Sequence, residues 1–143
     1  MTISQRLIQY KTTKNQTNML SKKMNAIAKQ MPLLEIKTAI GNKLIQTAEI
    51  LYIKANNKHS IIYFTDGEFI EVNLPLKFYD GKLSELFFYR CHDSYIVNCL
   101  QVNCTCASDL IFHGKTRIPV SRSKKQALKE NLENLHKAIV DFL

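Results

Sequence analysis

From Leu33 to Val120 the chain alternates apolar and polar residues with period two in runs of four to six, the spacing of half-buried β-strands. Leu34 and Ile36 alternate with charged residues, Gly41-Asn42 reads as a two-residue turn, and Leu44 opens a partner strand. The same grammar recurs at Ile61 to Phe64, Asp66-Gly67, and Phe69, Ile70 and Val72. It recurs again at Leu110 and Phe112, a turn at Gly114, then Ile118 and Val120. With Leu51 to Ile53, the stretch Phe87 to Asn98 and Val102 to Cys106 added, about ten short strands fit into this part of the chain, and the fold class is mainly β.

Helical spacing appears in three places. Ile3, Leu7 and Tyr10 form one stripe and Leu20, Met24, Ile27 and Met31 another, separated by the polar run Lys11 to Asn18 and ended by Pro32. The second stripe suits either folding back on the domain or pairing with a second copy. Leu76, Tyr79, Leu83 and Leu86 are spaced for a helix that Asp80-Gly81 weakens, so a short helix or two turns is expected. Leu128, Leu132, Leu135 and Ile139 predict a terminal helix, with Ser123 and Gln126 spaced as a capping box. The organisation expected is a basic helical arm over residues 1–31 and a β domain with a C-terminal helix over 32–143.

Charge sharpens this division. Of the formal net charge of +8 over 143 residues, the first thirty residues contribute six cations (Arg6, Lys11, Lys14, Lys22, Lys23, Lys29) and no acid. A basic arm on a nearly balanced domain suits a polyanion such as nucleic acid, although a solvated tail would look similar. The chain has no run of about 18 uncharged apolar residues, and its first residues are polar and basic where a secretory leader would be apolar. The expectation is a soluble, cytoplasmic protein with no membrane insertion and with reduced thiols.

Enzyme chemistry finds little support. Glycine-rich phosphate loops and paired carboxylates are absent from the sequence. Cys91 and His92 are neighbours, but adjacent side chains on a strand point to opposite faces and would not meet as nucleophile and base. Cys104-x-Cys106 is narrower than the usual zinc pair, and with Leu100 and Val102 it reads as a buried row. No catalytic residue, metal site or cofactor is expected.

Polar side chains on turns held by rigid strands suit nucleic acid better. Three turns qualify: Asn56, Asn57, Lys58 and His59; the knot Arg90 to Ser94 between two apolar runs; and Ser121, Arg122, Ser123, Lys124 and Lys125, where a strand gives way to a helix whose free N–H groups reinforce the basic side chains.

Four segments carry a family resemblance: Ile50-Leu51-Tyr52-Ile53-Lys54-Ala55; Asp66-Gly67-Glu68; Phe88-Tyr89-Arg90-Cys91-His92-Asp93-Ser94-Tyr95-Ile96-Val97-Asn98; and Gly114-Lys115-Thr116-Arg117-Ile118-Pro119-Val120-Ser121-Arg122. In order and spacing they resemble the LytTR family of bacterial DNA-binding domains, over about residues 35 to 130. The resemblance implies an elongated β domain of three small sheets whose loops enter successive major grooves of double-stranded DNA. Its contact positions fall on His59, Asp93 and Arg122, one in each turn already singled out. Arg122 suits guanine O6 and N7, and His59 a base edge or a phosphate. Asn57 belongs to the same surface, and Lys58, Arg90, Ser123, Lys124 and Lys125 would supply salt-sensitive backbone contacts. Arg90 and His92 have the alternative role of buttressing the knot from within.

Two departures stand out. The family usually has asparagine or a basic residue where this chain has Asp93, and a carboxylate only accepts, so this position either reads cytosine N4 or lowers affinity. Many family members also carry a receiver domain, whereas this chain has only the basic arm, so a stand-alone regulator is expected. Its regulation would come through a partner protein, a ligand, expression level or the thiols, with Cys91 either a redox switch or packing. The expected function is a sequence-specific transcription regulator acting as two copies on paired sites. The rival is a protein-interaction module in which the arm and terminal helix dock on a sensor or second regulator, with weak DNA binding.

Overall fold

The computed structural model describes residues 26–38, 40–83, 87–106, 108–112 and 116–141; the helical stripes before residue 26, Leu86, Gly114 and the side chains of Cys104, Cys106 and Ile139 lie outside what is described. Contacts group the described residues into two compact units, residues 31–98 and a second unit built from the described parts of 1–30 and 99–143.

The first unit holds seven strands and a short helix: β1 (Leu33–Thr38), β2 (Gly41–Gln46), β3 (Ile50–Asn56), β4 (His59–Phe64), β5 (Phe69–Val72), α1 (Lys77–Leu83), β6 (Phe88–His92) and β7 (Tyr95–Asn98). β1 and β2 form a two-stranded sheet, and the rest form a five-stranded sheet in the order β5-β4-β3-β7-β6. Alternation does the sorting: Ile53, Ile62, Val72 and Ile96 face inward and close over Leu34, Ile36 and Ile45 of the hairpin and Tyr79 and Leu83 of α1. Burying such side chains contributes about 1.5–3 kcal/mol each, which is what holds the small sheets together. The opposite face carries aromatic neighbours, with Tyr52 stacked on Tyr63 at 4.6 Å between ring centroids and Phe69 and Tyr95 beside them. Burial, with Tyr63 and Tyr95 adjacent, pushes the Tyr52 phenol up to about 12.

The second unit contains helical residues 26–30, a three-stranded antiparallel sheet of β8 (Val102–Cys106), β9 (Asp109–Phe112) and β10 (Arg117–Pro119) in the order β10-β9-β8, and α2 (Lys125–Asp141). The described residues thus form ten strands in three small sheets, the mainly β class expected. The short central helix and the terminal helix are also present, and Asp66-Gly67 makes the β4–β5 turn, with Gly67 at φ +88° and Asp66 Oδ1 accepting from the Glu68 N–H at 2.9 Å.

Three local readings need correction. Gly41 pairs with Thr38 and Asn42 with Lys37, so both sit in β2 and the first turn precedes them. Thr38 makes that turn, its Oγ1 donating to the Gly41 carbonyl at 2.7 Å, a weaker sequence signal than a glycine dipeptide. Ser123 does not cap the terminal helix. It lies in a 3₁₀ turn (Arg122–Lys124) ahead of α2, and the Lys124 N–H donates to the Ser121 carbonyl at 2.9 Å, so the backbone closes the turn that a side chain was expected to cap. Gln126 donates instead to Glu130 at 3.4 Å. Leu100 is in a 3₁₀ turn (Cys99–Gln101) rather than on β8, and an irregularity between Val102 and Cys104 interrupts the single-faced row.

Candidate nucleic-acid interface

Two of the three expected turns come together in the first unit. β3 pairs antiparallel with both β4 and β7, so the β3–β4 turn and the β6–β7 turn emerge at the same end of the five-stranded sheet. The Ala55 N–H donates to the Ser94 carbonyl at 2.8 Å, a direct bond between the two.

In the first turn Asn56 pairs with His59, leaving Asn57 and Lys58 at the tip. Asn57 takes φ +57°, a left-handed conformation that asparagine tolerates better than most residues. Asn57 and Lys58 are exposed, whereas Asn56 Nδ2 is turned to Glu71 Oε1 at 3.2 Å. His59 is half-buried and also lines an open groove with Ile36 and Lys37 of β1, Glu71 and Val72 of β5, and Phe78 of α1.

The knot is a two-residue turn, Asp93-Ser94, between paired His92 and Tyr95. Its polar groups divide into those spent on the turn and those left outside. Arg90 Nη1 donates to Asp80 Oδ2 at 2.7 Å, and its Nη2 donates to the Asp93 carbonyl at 2.8 Å. His92 Nδ1 accepts from the Ser94 N–H at 3.1 Å, and the ring meets Tyr95 edge-on at 5.9 Å. Arg90 and His92 therefore brace the turn from within, and the Asp93 side chain is exposed at its tip. Cys91 is fully buried, and burial pushes its thiol up to about 12, the opposite of the lowered value that makes a cysteine reactive.

The third turn belongs to the second unit. The Val120 N–H donates to the Ser108 carbonyl at 2.8 Å, which ties the end of β10 to the β8–β9 connection. Arg122 and Ser123 are exposed, Lys124 is half-buried, and Lys125 Nζ donates to Ser108 Oγ at 3.0 Å. Arg122 is thus presented from a turn whose neighbours are engaged.

The family model of the LytTr DNA-binding domain matches residues 41–133, well over half of the chain and all three turns. The chain belongs to this LytTr family. It is 34% identical over 85 residues to the sensory transduction protein LytT of Oceanobacillus iheyensis, an overlap of 52% of this chain and 33% of that protein, so the chain spans about a third of the relative's length. A solved LytTr DNA-binding domain from Bacillus cereus has the same fold, with a TM-score of 0.59 at 23% identity over 71% of this chain and 96% of that one.

Within this LytTr domain, sequence reasoning offered Arg90 and His92 as buttresses of the knot but missed the partners on α1 and β4 that anchor the turns. Tyr79 and Ser60, both fully buried, share a hydrogen bond of 2.8 Å that fixes α1 to β4 immediately after His59. The next residue, Asp80, anchors Arg90. Asp80 was visible only as half of a helix-weakening Asp-Gly pair, and no local pattern links it to a residue ten positions away. Among the described residues no group of His, Cys, Asp and Glu is arranged to hold a metal, and no helix is long and apolar enough to cross a membrane.

Proposed function

We propose that this chain is a sequence-specific transcription regulator that binds promoter DNA in the bacterial cytoplasm through its three polar turns. The observation that carries the reading is the pair of turns at one end of the five-stranded sheet, joined by the Ala55–Ser94 bond, with exposed polar tips on a buried frame. Turns emerging side by side suit a ligand that offers repeated grooves. His59, Asp93 and Arg122 meet base edges in successive major grooves, with Arg122 bidentate on guanine and Asp93 accepting from cytosine N4. Lys58, Asn57, Ser123, Lys124 and Lys125 serve the phosphates, giving the interaction its salt dependence. Arg90 serves the turn first, because both of its terminal nitrogens are already engaged there. The chain acts as two copies on paired sites.

A footprint on DNA selected from a random pool tests this. Arg122→Ala lowers protection about five-fold to a hundred-fold, since a bidentate base pair is worth about 1–3 kcal/mol; undiminished protection would refute the loop reading. A second reading, a protein-interaction module expected to dock a sensor or another regulator through the arm and terminal helix, finds its apolar surface elsewhere: Leu33 (54% exposed), Ile40 (98%) and Leu44 (63%) leave the β1–β2 hairpin apolar toward solvent. Salt separates the two, because phosphate contacts weaken steeply as salt rises and an apolar contact does not.

A further inference from the structure

Arg90 is the one cation of the polar knot, yet its guanidinium is committed to partners within the protein. Asp80 takes Nη1 at 2.7 Å and the Asp93 carbonyl takes Nη2 at 2.8 Å, so one planar group spans the helix and the tip of the knot. Arginine's fixed fork is suited to such a bridge, and lysine's point charge is not. The helix end of the bridge is rigid because the neighbouring Tyr79 is fully buried and bonded to Ser60.

We infer that Asp80 is a positioning residue for DNA recognition: by holding Arg90 it sets the backbone of the Asp93 turn and withholds a cation from the phosphates. This rests on the reading that the knot faces DNA. Asp80 touches no DNA itself. Its effect is on discrimination, because a turn fixed from behind offers one geometry to the base edge, while a released guanidinium would bind any phosphate. The pair is half-exposed, with side-chain exposures of 33% and 39%, so solvent screens it and the effect is moderate.

The test uses the full chain, a selected DNA site and a scrambled duplex of the same length. Asp80→Asn keeps the shape but loses the charge, so the hold on Arg90 Nη1 weakens to a neutral hydrogen bond and the guanidinium charge is left uncompensated. The ratio of specific to scrambled affinity falls about two- to five-fold, the range an exposed ion pair commands, and the salt slope on scrambled DNA steepens by about 0.9, one added phosphate contact. Arg90→Gln also lowers the ratio but does not steepen the slope, since no cation is released. Asp80→Glu restores most of the ratio. If Asp80→Asn changes neither quantity while His59→Ala and Arg122→Ala weaken specific binding, the inference is overturned and the DNA reading stands. If His59→Ala and Arg122→Ala also change nothing, the reading falls and the inference with it. An equal loss on both duplexes with a lowered urea midpoint assigns Asp80 to stability alone and overturns the inference.

Discussion

Replacing Tyr79 by Phe deletes one oxygen from the centre of the first unit and isolates what that oxygen does. The hydroxyl lies 2.8 Å from Ser60 Oγ, and both residues are fully buried. The ring of Phe fills the same space, so no cavity opens and the change is confined to polar pairing. Ser60 Oγ is then left in an apolar interior, at a cost of about 1–3 kcal/mol against a typical total stability of about 5–15 kcal/mol. Ser60→Ala strands the Tyr79 hydroxyl instead and costs a similar amount. The double variant removes both polar groups and avoids either orphan, so its loss is well below the sum of the singles, with a coupling of about 1–2 kcal/mol. Urea unfolding of the four proteins measures this directly, and unchanged slopes at shifted midpoints show that only stability has altered. Strictly additive losses would refute the bond as a stabilising interaction. Because Ser60 follows His59 and Tyr79 precedes Asp80, the singles should also weaken specific DNA binding more than they weaken binding to a scrambled duplex.

Three other outcomes are expected. Asp93→Asn removes a carboxylate from an exposed turn tip and restores donor capacity, so binding tightens and base preference shifts at one position of the selected site; an unchanged selection profile removes Asp93 from the interface. Tyr52 ionises at about 12 in the fold against about 10 when unfolded, so above pH 10 the unfolded chain releases its proton first. The stability this contributes is complete below pH 10 and is lost as pH rises through 12, so Tyr52→Phe flattens the alkaline decline in that window, as denaturant midpoints from pH 9 to 12 will show. Cys91, fully buried with a raised thiol pKa, resists iodoacetamide at pH 8 in native protein and reacts in urea; rapid native labelling, read by mass spectrometry, would revive a redox role.

How much of this was legible in sequence follows the range of each interaction. Strand alternation is local, and the side chains that alternate, Ile53, Ile62 and Ile96, are those that the five-stranded sheet buries. The Asp66-Gly67 turn was readable because a positive φ demands a particular residue, and Gly67 supplies it. The first hairpin turn was misplaced because Thr38 builds it with a side-chain bond that many threonines never make. The cap at Ser123 failed for a related reason: a capping pattern states what a side chain is able to do, and here the backbone bond from Lys124 to Ser121 closed the turn first. The tips of the candidate site, Asn57, Lys58, Asp93 and Arg122, were found because exposed polar residues between apolar runs are visible along one line of sequence.

What anchors those tips was only partly visible, and the reason bears on how such a domain changes specificity. Arg90 reads from sequence as either a phosphate-binding cation or a buttress of the knot, and its distance to Asp80 decides for the second by showing that its charge is already committed. If the proposed surface meets DNA, a count of basic residues therefore overstates the number of phosphates it would neutralise, and with it the salt slope. Lys125 illustrates the same point in the second unit, where Ser108 takes one of its donors. Among the described residues of the three turns, Lys58, Arg122 and Lys124 keep side-chain cations that make no hydrogen bond or ion pair within the protein, one in the first unit and two in the second. On the proposed reading, committing Arg90 to the turn puts more of the discrimination on geometry. The helix α1, which holds one turn through Ser60 and the other through Arg90, is then on that reading where a substitution would retune binding without altering a tip residue.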